Sequence, residues 1–320
     1  MLLIGSSTLF SCSNNEDELP PKEQEQTNQE TYTISFNLGG EFISTSETPL
    51  SRTEVTPKKI YGINVYYKKD ATDTWYDKYA YGLFDNIQDM TISLISGYKF
   101  ECTMIQNDND IIYHDKNGYY GRPFVSGSSY NGNYNGSTAQ LTNKFNVSTT
   151  DYQCLDYIEY GTTDVCTESN FVRSNYPKTD RFYGELTDYI PTKDGVANID
   201  LKRTAFGLKF IVTPPVDGKL YINSITINNE SNSINSNVEV SAGENVLETS
   251  FMCTFYEVYK CWQAEDYTKD LTIQLKWERA NGATQTFSKT ITVKRNVMTT
   301  INVNVNGSTT DSSLGVKEDD

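Results

Sequence analysis

Short runs in which apolar and polar residues alternate recur along this chain, and that period of two restricts it to strands half-buried on one face. TYTISFNL (31–38) sets Tyr32, Ile34, Phe36 and Leu38 against polar partners, and KIYGINVYYKK (59–69) and DMTISLIS (89–96) follow the same rule. YKFECTMIQ (98–106) follows directly after Gly97, so 89–106 reads as a hairpin turning tightly on Ser96-Gly97. Further runs lie at 196–204, 206–213, 219–229, 270–280, 284–295 and 297–307. Pro214-Pro215 and Asp217-Gly218 break one connection, and Asn281-Gly282 predicts a hairpin with a primed turn. No run of ten or more residues carries a strong helical period, although 250–262 has room for a turn or two of helix. Many short strands with turn signals between them predict an all-β chain built as β-sandwiches. At 320 residues the length suits two domains, each with its own core.

Between the two groups of strands the texture changes. Residues 113–134 read YHDKNGYYGRPFVSGSSYNGNY, dense in Gly, Asn, Ser and Tyr, and predict a loop-rich insertion over about 107–177. Tyrosines on such loops offer apolar area with a polar handle, so Tyr119, Tyr120, Tyr130 and Tyr134 are the candidate ligand contacts. The chain holds 23 tyrosines, which weakens any argument from one local cluster.

The start of the chain reads MLLIGSSTLFS before Cys12 and SNNEDE after it. The first 11 residues resemble the end of a secretory signal peptide and are too short to span a bilayer, which takes about 20 apolar residues. Leu9, Phe10, Ser11 and Cys12 resemble a bacterial lipobox, so Cys12 is the expected site of lipidation and of attachment to the outer membrane. No Lys or Arg precedes the apolar run, and the true start codon is expected upstream of Met1. The acidic segment after Cys12 resembles the export signal that places lipoproteins of anaerobic gut and oral bacteria on the cell surface. Residues 12–30 lack aromatic side chains and form an acidic, disordered tether stiffened by Pro20-Pro21. A formal net charge of −15 supplies no basic stripe for nucleic acid and none for anionic head groups.

Signals for chemistry are absent from the sequence. Six cysteines stand at 12, 102, 154, 166, 253 and 261, none in a Cys-x-x-Cys pair, and His114 is the one histidine. The zinc spacings built on these residues are therefore missing. Cys154 with Cys166, or Cys253 with Cys261, has the spacing to close a small loop in an oxidising compartment; burial as small hydrophobes is the plainer reading. There is no Gly-x-Ser-x-Gly elbow, phosphate-binding loop or His-Glu-x-x-His. Residues 107–110 and 115–118 miss the EF-hand spacing and read as solvated turns. Among 42 acidic residues nothing singles out a catalytic pair. The expectation is a protein without catalytic residues, metal or cofactor.

The stretch 181–229, RFYGELTDYIPTKDGVANIDLKRTAFGLKFIVTPPVDGKLYINSITINN, resembles the fimbrillin-like lipoproteins of anaerobic gut and oral bacteria. Ile199, Leu201, Lys202, Arg203, Phe206 and Phe210 match an aliphatic strand, a basic pair and the strand that opens the C-terminal sandwich. The TYTISFNL strand, PLSRTEV (49–55), KIYGINVYY and the closing RNVMTTINVNV (295–305) agree in style. The resemblance implies two transthyretin-like Greek-key β-sandwich domains, at 31–185 and 186–307, followed by a polar tail at 308–320. It implies a fimbrial structural or adhesive subunit whose partners are other subunits or itself, joined by strand exchange. Polymerising members lose their first strand to a protease that cuts after an arginine, and Arg52 is the position that fits. The tail is too polar for a donor strand, and 295–305 is the alternative donor. A different class of function is a surface receptor for glycans or peptides that uses the Tyr/Gly-rich loops.

Overall fold

A computed structural model describes residues 30–41, 59–108, 111–125, 138–147, 154–166, 171–228, 230–234, 236, 238–306 and 315–319. Among them the chain is almost entirely β, as the alternation predicts.

The first sheet has eight strands: β1 (Thr31–Gly40), β2 (Lys59–Lys68), β3 (Asp77–Phe84), β4 (Thr91–Ile95), β5 (Lys99–Asp108), β8 (Lys144–Val147), β11 (Phe182–Tyr189) and β12 (Val196–Arg203). Their order is β4-β1-β12-β11-β5-β2-β3-β8. The sheet bends at β12, whose residues from Val196 to Leu201 run parallel to β1 while Lys202 and Arg203 pair antiparallel with β11. The bend folds one half over the other around Ile34, Phe36, Leu38, Ile63, Val65, Phe84, Leu94, Phe100 and Ile199. Phe145 of β8 packs on Phe36 and Phe84, with ring centroids 5.6 and 4.9 Å apart, and so brings the two ends of the sheet together.

The strands from Ala205 onward build two further sheets. One is β17 (Leu247–Thr254), β13 (Ala205–Val212), β20 (Met298–Val303) and β21 (Gly315–Asp319), in that order. The other places β14 (Lys219–Ile227) between β18 (Thr268–Glu278) and the short strands β15 (Ser233–Ile234) and β16 (Val238–Ser241), with β19 (Thr284–Lys294) on the far side of β18. Phe206, Leu208, Phe210 and Val212 of β13 meet Leu271, Ile273, Leu275 and Trp277 of β18 in one core. In β14 both Ile222 and Ile225 point inward although three residues apart, because a bulge between Ile222 and Ser224 shifts the parity.

The middle of the chain is more structured than a run of loops. Four short strands form two hairpins: β6 (Tyr119–Val125) with β7 (Thr138–Gln140), and β9 (Thr163–Cys166) with β10 (Phe171–Ser174). This layer covers the outer face of β2 and β3, where Ile60, Tyr81 and Leu83 meet Ile112, Tyr120, Phe124, Leu155 and Ile158. Strand β2 is thus buried on both faces, a central strand and not the half-solvated one its alternation suggests. A short helix, α1 (Val258–Gln263), joins the same layer through Val258, Tyr259 and Trp262. The run 250–262 accordingly divides between the end of β17 and this helix.

Two expectations about turns are corrected. The turn at Ser96-Gly97 forms, with Gly97 at φ +77°, but its flanking strands part: β4 pairs with β1, and β5 with β2 and β11. The Asn281-Gly282 turn is not primed; Gly282 alone has a positive φ there, and its N–H donates to Arg279 O at 3.0 Å. That is a type I turn closed by a left-handed glycine. β11 and β12 belong to the first sheet, and the change of sheet falls between Arg203 and Ala205. The cysteines Cys154, Cys166, Cys253 and Cys261 are free thiols, Cys166 exposed and the others buried.

Candidate functional site

The first strand, β1, occupies a slot with a neighbour on each edge: β4 antiparallel on one side and β12 parallel on the other. Its alternation sends Ile34, Phe36 and Leu38 into the core and leaves Thr33, Ser35 and Asn37 outside. Outward polar groups add register: Thr33 Oγ1 lies 3.3 Å from Ser93 Oγ, and Asn37 Nδ2 donates to Asn198 Oδ1 at 2.9 Å. Burial of the three inward side chains contributes about 1.5–3 kcal/mol each, roughly 5–9 kcal/mol together. This is the order of a whole domain's net stability. An empty slot is therefore not a stable state.

The strand ends at Gly40, where glycine is required, one residue after a close approach to a side chain. A Cβ on Gly39 would lie 2.4 Å from Asp200 Oδ1; Gly40 has φ +82°, and its Cβ would lie 2.6 Å from Leu201 O. Glu41 follows. Its carboxylate accepts the Arg203 backbone N–H at 2.7 Å and the Arg295 guanidinium at 2.8 Å. Arg203 also donates to Asp180 and to Asn296, and Lys202 pairs with Glu265. One end of β1 is thereby tied to the junction of the two bodies of sheet. Residues 42–58, which hold Arg52, lie outside the described residues, as does Cys12.

Of the tyrosines expected to face a ligand, Tyr119 is 38 % exposed and Tyr120 is not available: it is 3 % exposed and stacks on His114 with centroids 4.9 Å apart. The alternation of β6 turns it into the third core. Tyr130 and Tyr134 lie outside the described residues. Asp115 accepts the N–H groups of Asn117 and Tyr119 at 2.8 and 3.0 Å, which makes 115–118 the solvated turn expected. His114 Nδ1 sits 3.0 Å from Ile112 O.

Two clusters escaped the sequence reading. Arg181 is fully buried where the middle layer meets the junction, and its guanidinium donates to the carbonyls of Tyr157, Ile158 and Tyr160. Burial pulls its pKa down to about 9. On the outer face of the first sheet, Glu101 of β5 and Glu185 of β11 lie near enough to Glu159 of the middle layer to feel its charge. Burial, then the Glu185 and Glu159 charges, push Glu101 up to about 7. Burial raises Glu185 and Glu159 as well, although the Tyr183 hydroxyl donates to Glu185 at 2.5 Å. Lys68 is the cation that opposes this crowding. No local spacing announces either cluster, because its members come from strands far apart in sequence. Among the described residues no group of three or more His, Cys, Asp and Glu is arranged to hold a metal, and no helix is long and apolar enough to cross a membrane.

No protein-family model and no curated protein matches the chain. Its fold is similar to several solved structures. One is a candidate cell adhesion protein from Bacteroides eggerthii DSM 20697, at 9% identity over 91% of this chain and 95% of that one, with a TM-score of 0.37. A fimbrial assembly protein from Parabacteroides distasonis ATCC 8503 matches at 11% identity over 91% and 100%, with a TM-score of 0.36. The fimbrial anchor protein Mfa2 from Porphyromonas gingivalis matches at 9% identity over 90% and 97%, with a TM-score of 0.35.

Proposed function

We propose that this protein is a surface-anchored structural or adhesive subunit of fimbrial type, held by lipid on Cys12 and acting by contact and not by catalysis. Its subunits join by strand exchange: cleavage after Arg52 frees β1, and a strand from a partner subunit takes the slot between β4 and β12. The observation that carries this reading is the seating of β1. The strand is paired on both edges, supplies three core side chains, and leaves the sheet through the segment that contains Arg52. A replacement needs the same alternation of apolar and polar residues, which main-chain pairing then registers. We further propose two sandwich domains that meet at Thr204, raised from the membrane on the tether 12–30. Detergent-resistant ladders of the native protein in gel electrophoresis test the exchange: wild-type chains form ladders and Arg52→Ala chains run as a single band. A single band for both ends the proposal, as does an unmodified Cys12 in the mature protein for the anchor. The alternative, a glycan or peptide receptor built on the Tyr/Gly-rich loops, is weakened by the burial of Tyr120.

A further inference from the structure

The first sheet bends until its terminal strands, β4 and β8, face one another, yet they form no ladder. Between them lies a cleft of about 810 Å³, lined by Tyr79, Thr91, Ser93, Asn143, Phe145 and Val147 among others. Which backbone groups of β4 point into it follows from register. Ser96 N–H donates to Glu30 O at 2.8 Å, so Glu30 and Ser96 are a hydrogen-bonded pair of the antiparallel ladder with β1. Counting by two, Leu94 and Ile92 are bonded to Tyr32 and Ile34, while Thr91, Ser93 and Ile95 turn their N–H and C=O groups to the opposite edge. The side chains agree: Thr33 and Ser93 approach within 3.3 Å, as a non-bonded pair does. Tyr79 confirms the direction by donating its hydroxyl to Ser93 O at 2.9 Å across the cleft. The N–H groups of Thr91 and Ser93 have no hydrogen-bond partner among the described residues.

We infer that this seam is a second strand-docking site, in which an extended segment of a partner polypeptide pairs with the free edge of β4. The unpaired N–H groups of Thr91 and Ser93 take carbonyls of an incoming main chain, and an N–H of that chain replaces the Tyr79 hydroxyl on Ser93 O. The walls set the rest of the specificity. Tyr79, Ile92, Phe145 and Val147 favour apolar side chains at alternate positions, and Asp89, Lys144 and Asn143 line a polar rim. Five residues of β4 extend over about 17 Å, so a short segment suffices. The site lies beyond the exchange slot proposed above, because it is open while β1 is in place.

The test uses the uncleaved full chain and a fluorescent, lysine-flanked peptide of alternating threonine and valine. Saturable binding is expected, with the Thr91 and Ser93 amides gaining protection from hydrogen exchange. Methylating the nitrogens on the pairing edge of the peptide is expected to weaken binding at least tenfold. Ser93→Pro removes a donor that faces away from β1, spares the β1 ladder, and is expected to weaken binding by a similar factor. Arg52→Ala leaves the affinity unchanged, which separates this site from exchange at β1. Binding that survives N-methylation assigns the cleft to side-chain capture and overturns the inference, as does the absence of saturable binding at millimolar peptide. If Ser93→Pro fails to fold, the methylated peptide on the wild-type chain still decides.

Discussion

Nη1 of Arg295 lies 2.8 Å from both carboxylate oxygens of Glu41, across 254 residues of sequence. Arg295 closes the hairpin region of the last sheets, and Glu41 ends the first strand of the first. The Arg295 side chain is 6 % exposed, so its charge depends on this partner more than on water. A strand that replaces β1 must bring an acceptor to the same place or leave Arg295 with Glu265 at 3.4 Å and the Arg203 carbonyl.

Glu41→Gln keeps the shape and removes the charge. It is expected to lower stability by about 1–3 kcal/mol, because a largely buried guanidinium loses its nearer ion partner and keeps only Glu265 at 3.4 Å. Urea denaturation of the two proteins measures the difference. A change below about 0.5 kcal/mol would mean that Arg295 is served by solvent after all.

Phe36→Ala empties the centre of the β1 slot and leaves Phe145 without one of its two ring partners. The expected cost is about 3–5 kcal/mol, seen as a fall of roughly 5 °C or more in Tm for a chain of this size. Asn37→Ala, on the outward face of the same strand, is expected to stay within about 1 kcal/mol of wild type. Equal losses at the two positions would contradict the seating of the strand.

The acids Glu101, Glu159 and Glu185 predict a pH dependence with a definite sign. A carboxyl raised on folding binds its proton more tightly in the folded chain. Its stabilisation is complete below the unfolded value near 4.5 and is lost as pH rises through the folded value, near 7 for Glu101. Stability is therefore expected to fall between pH 5 and pH 8, by on the order of 1 kcal/mol once solvent screening is allowed for. In Glu101→Gln the fall is expected to flatten. Glu257, held at about 2 chiefly by its bond to Lys260, acts the other way and loses its contribution only in strong acid. Urea midpoints at four pH values decide, and a midpoint that rises from pH 5 to pH 8 contradicts the placement of the three acids.

Thiol labelling at pH 8, read residue by residue in mass spectra, tests the burial of the cysteines. Cys166 is exposed and is expected to react in the native protein. Cys253 is fully buried, which pushes its thiol up to about 12, and it is expected to react only on unfolding. Native labelling of Cys253 at the rate of Cys166 would show that the core of the second pair of sheets is open.

Much of the fold can be read from the order of residues along the chain. The alternation in 31–38, 206–213 and 270–280 identifies β1, β13 and β18 and names their inward faces, because side-chain direction in a strand is a local property of the backbone. Asp217-Gly218 marks a turn for the same reason; its carboxylate then receives Arg279 at 2.7 Å. Other strands pass unannounced, β3 and β11 among them. In β3 the run YAYGLF is buried on both faces, and in β11 polar residues fill the outer end, so neither shows a clean period.

What only the tertiary structure decided is which strands pair and what covers them. The residues on either side of Gly97 have the alternation of a hairpin, yet β4 joins β1 and β5 joins β2, and both strands send side chains into the one core that the folded sheet encloses. Tyr120 looks like an exposed loop residue until the outer face of β2 and β3 is seen to need a cover. The seating of β1, its bond from Glu41 to Arg295 and the open seam beside β4 belong to this second kind. Alternation depends on neighbours in the chain, whereas pairing, burial and charge contact are settled between segments that meet only when the sheet closes.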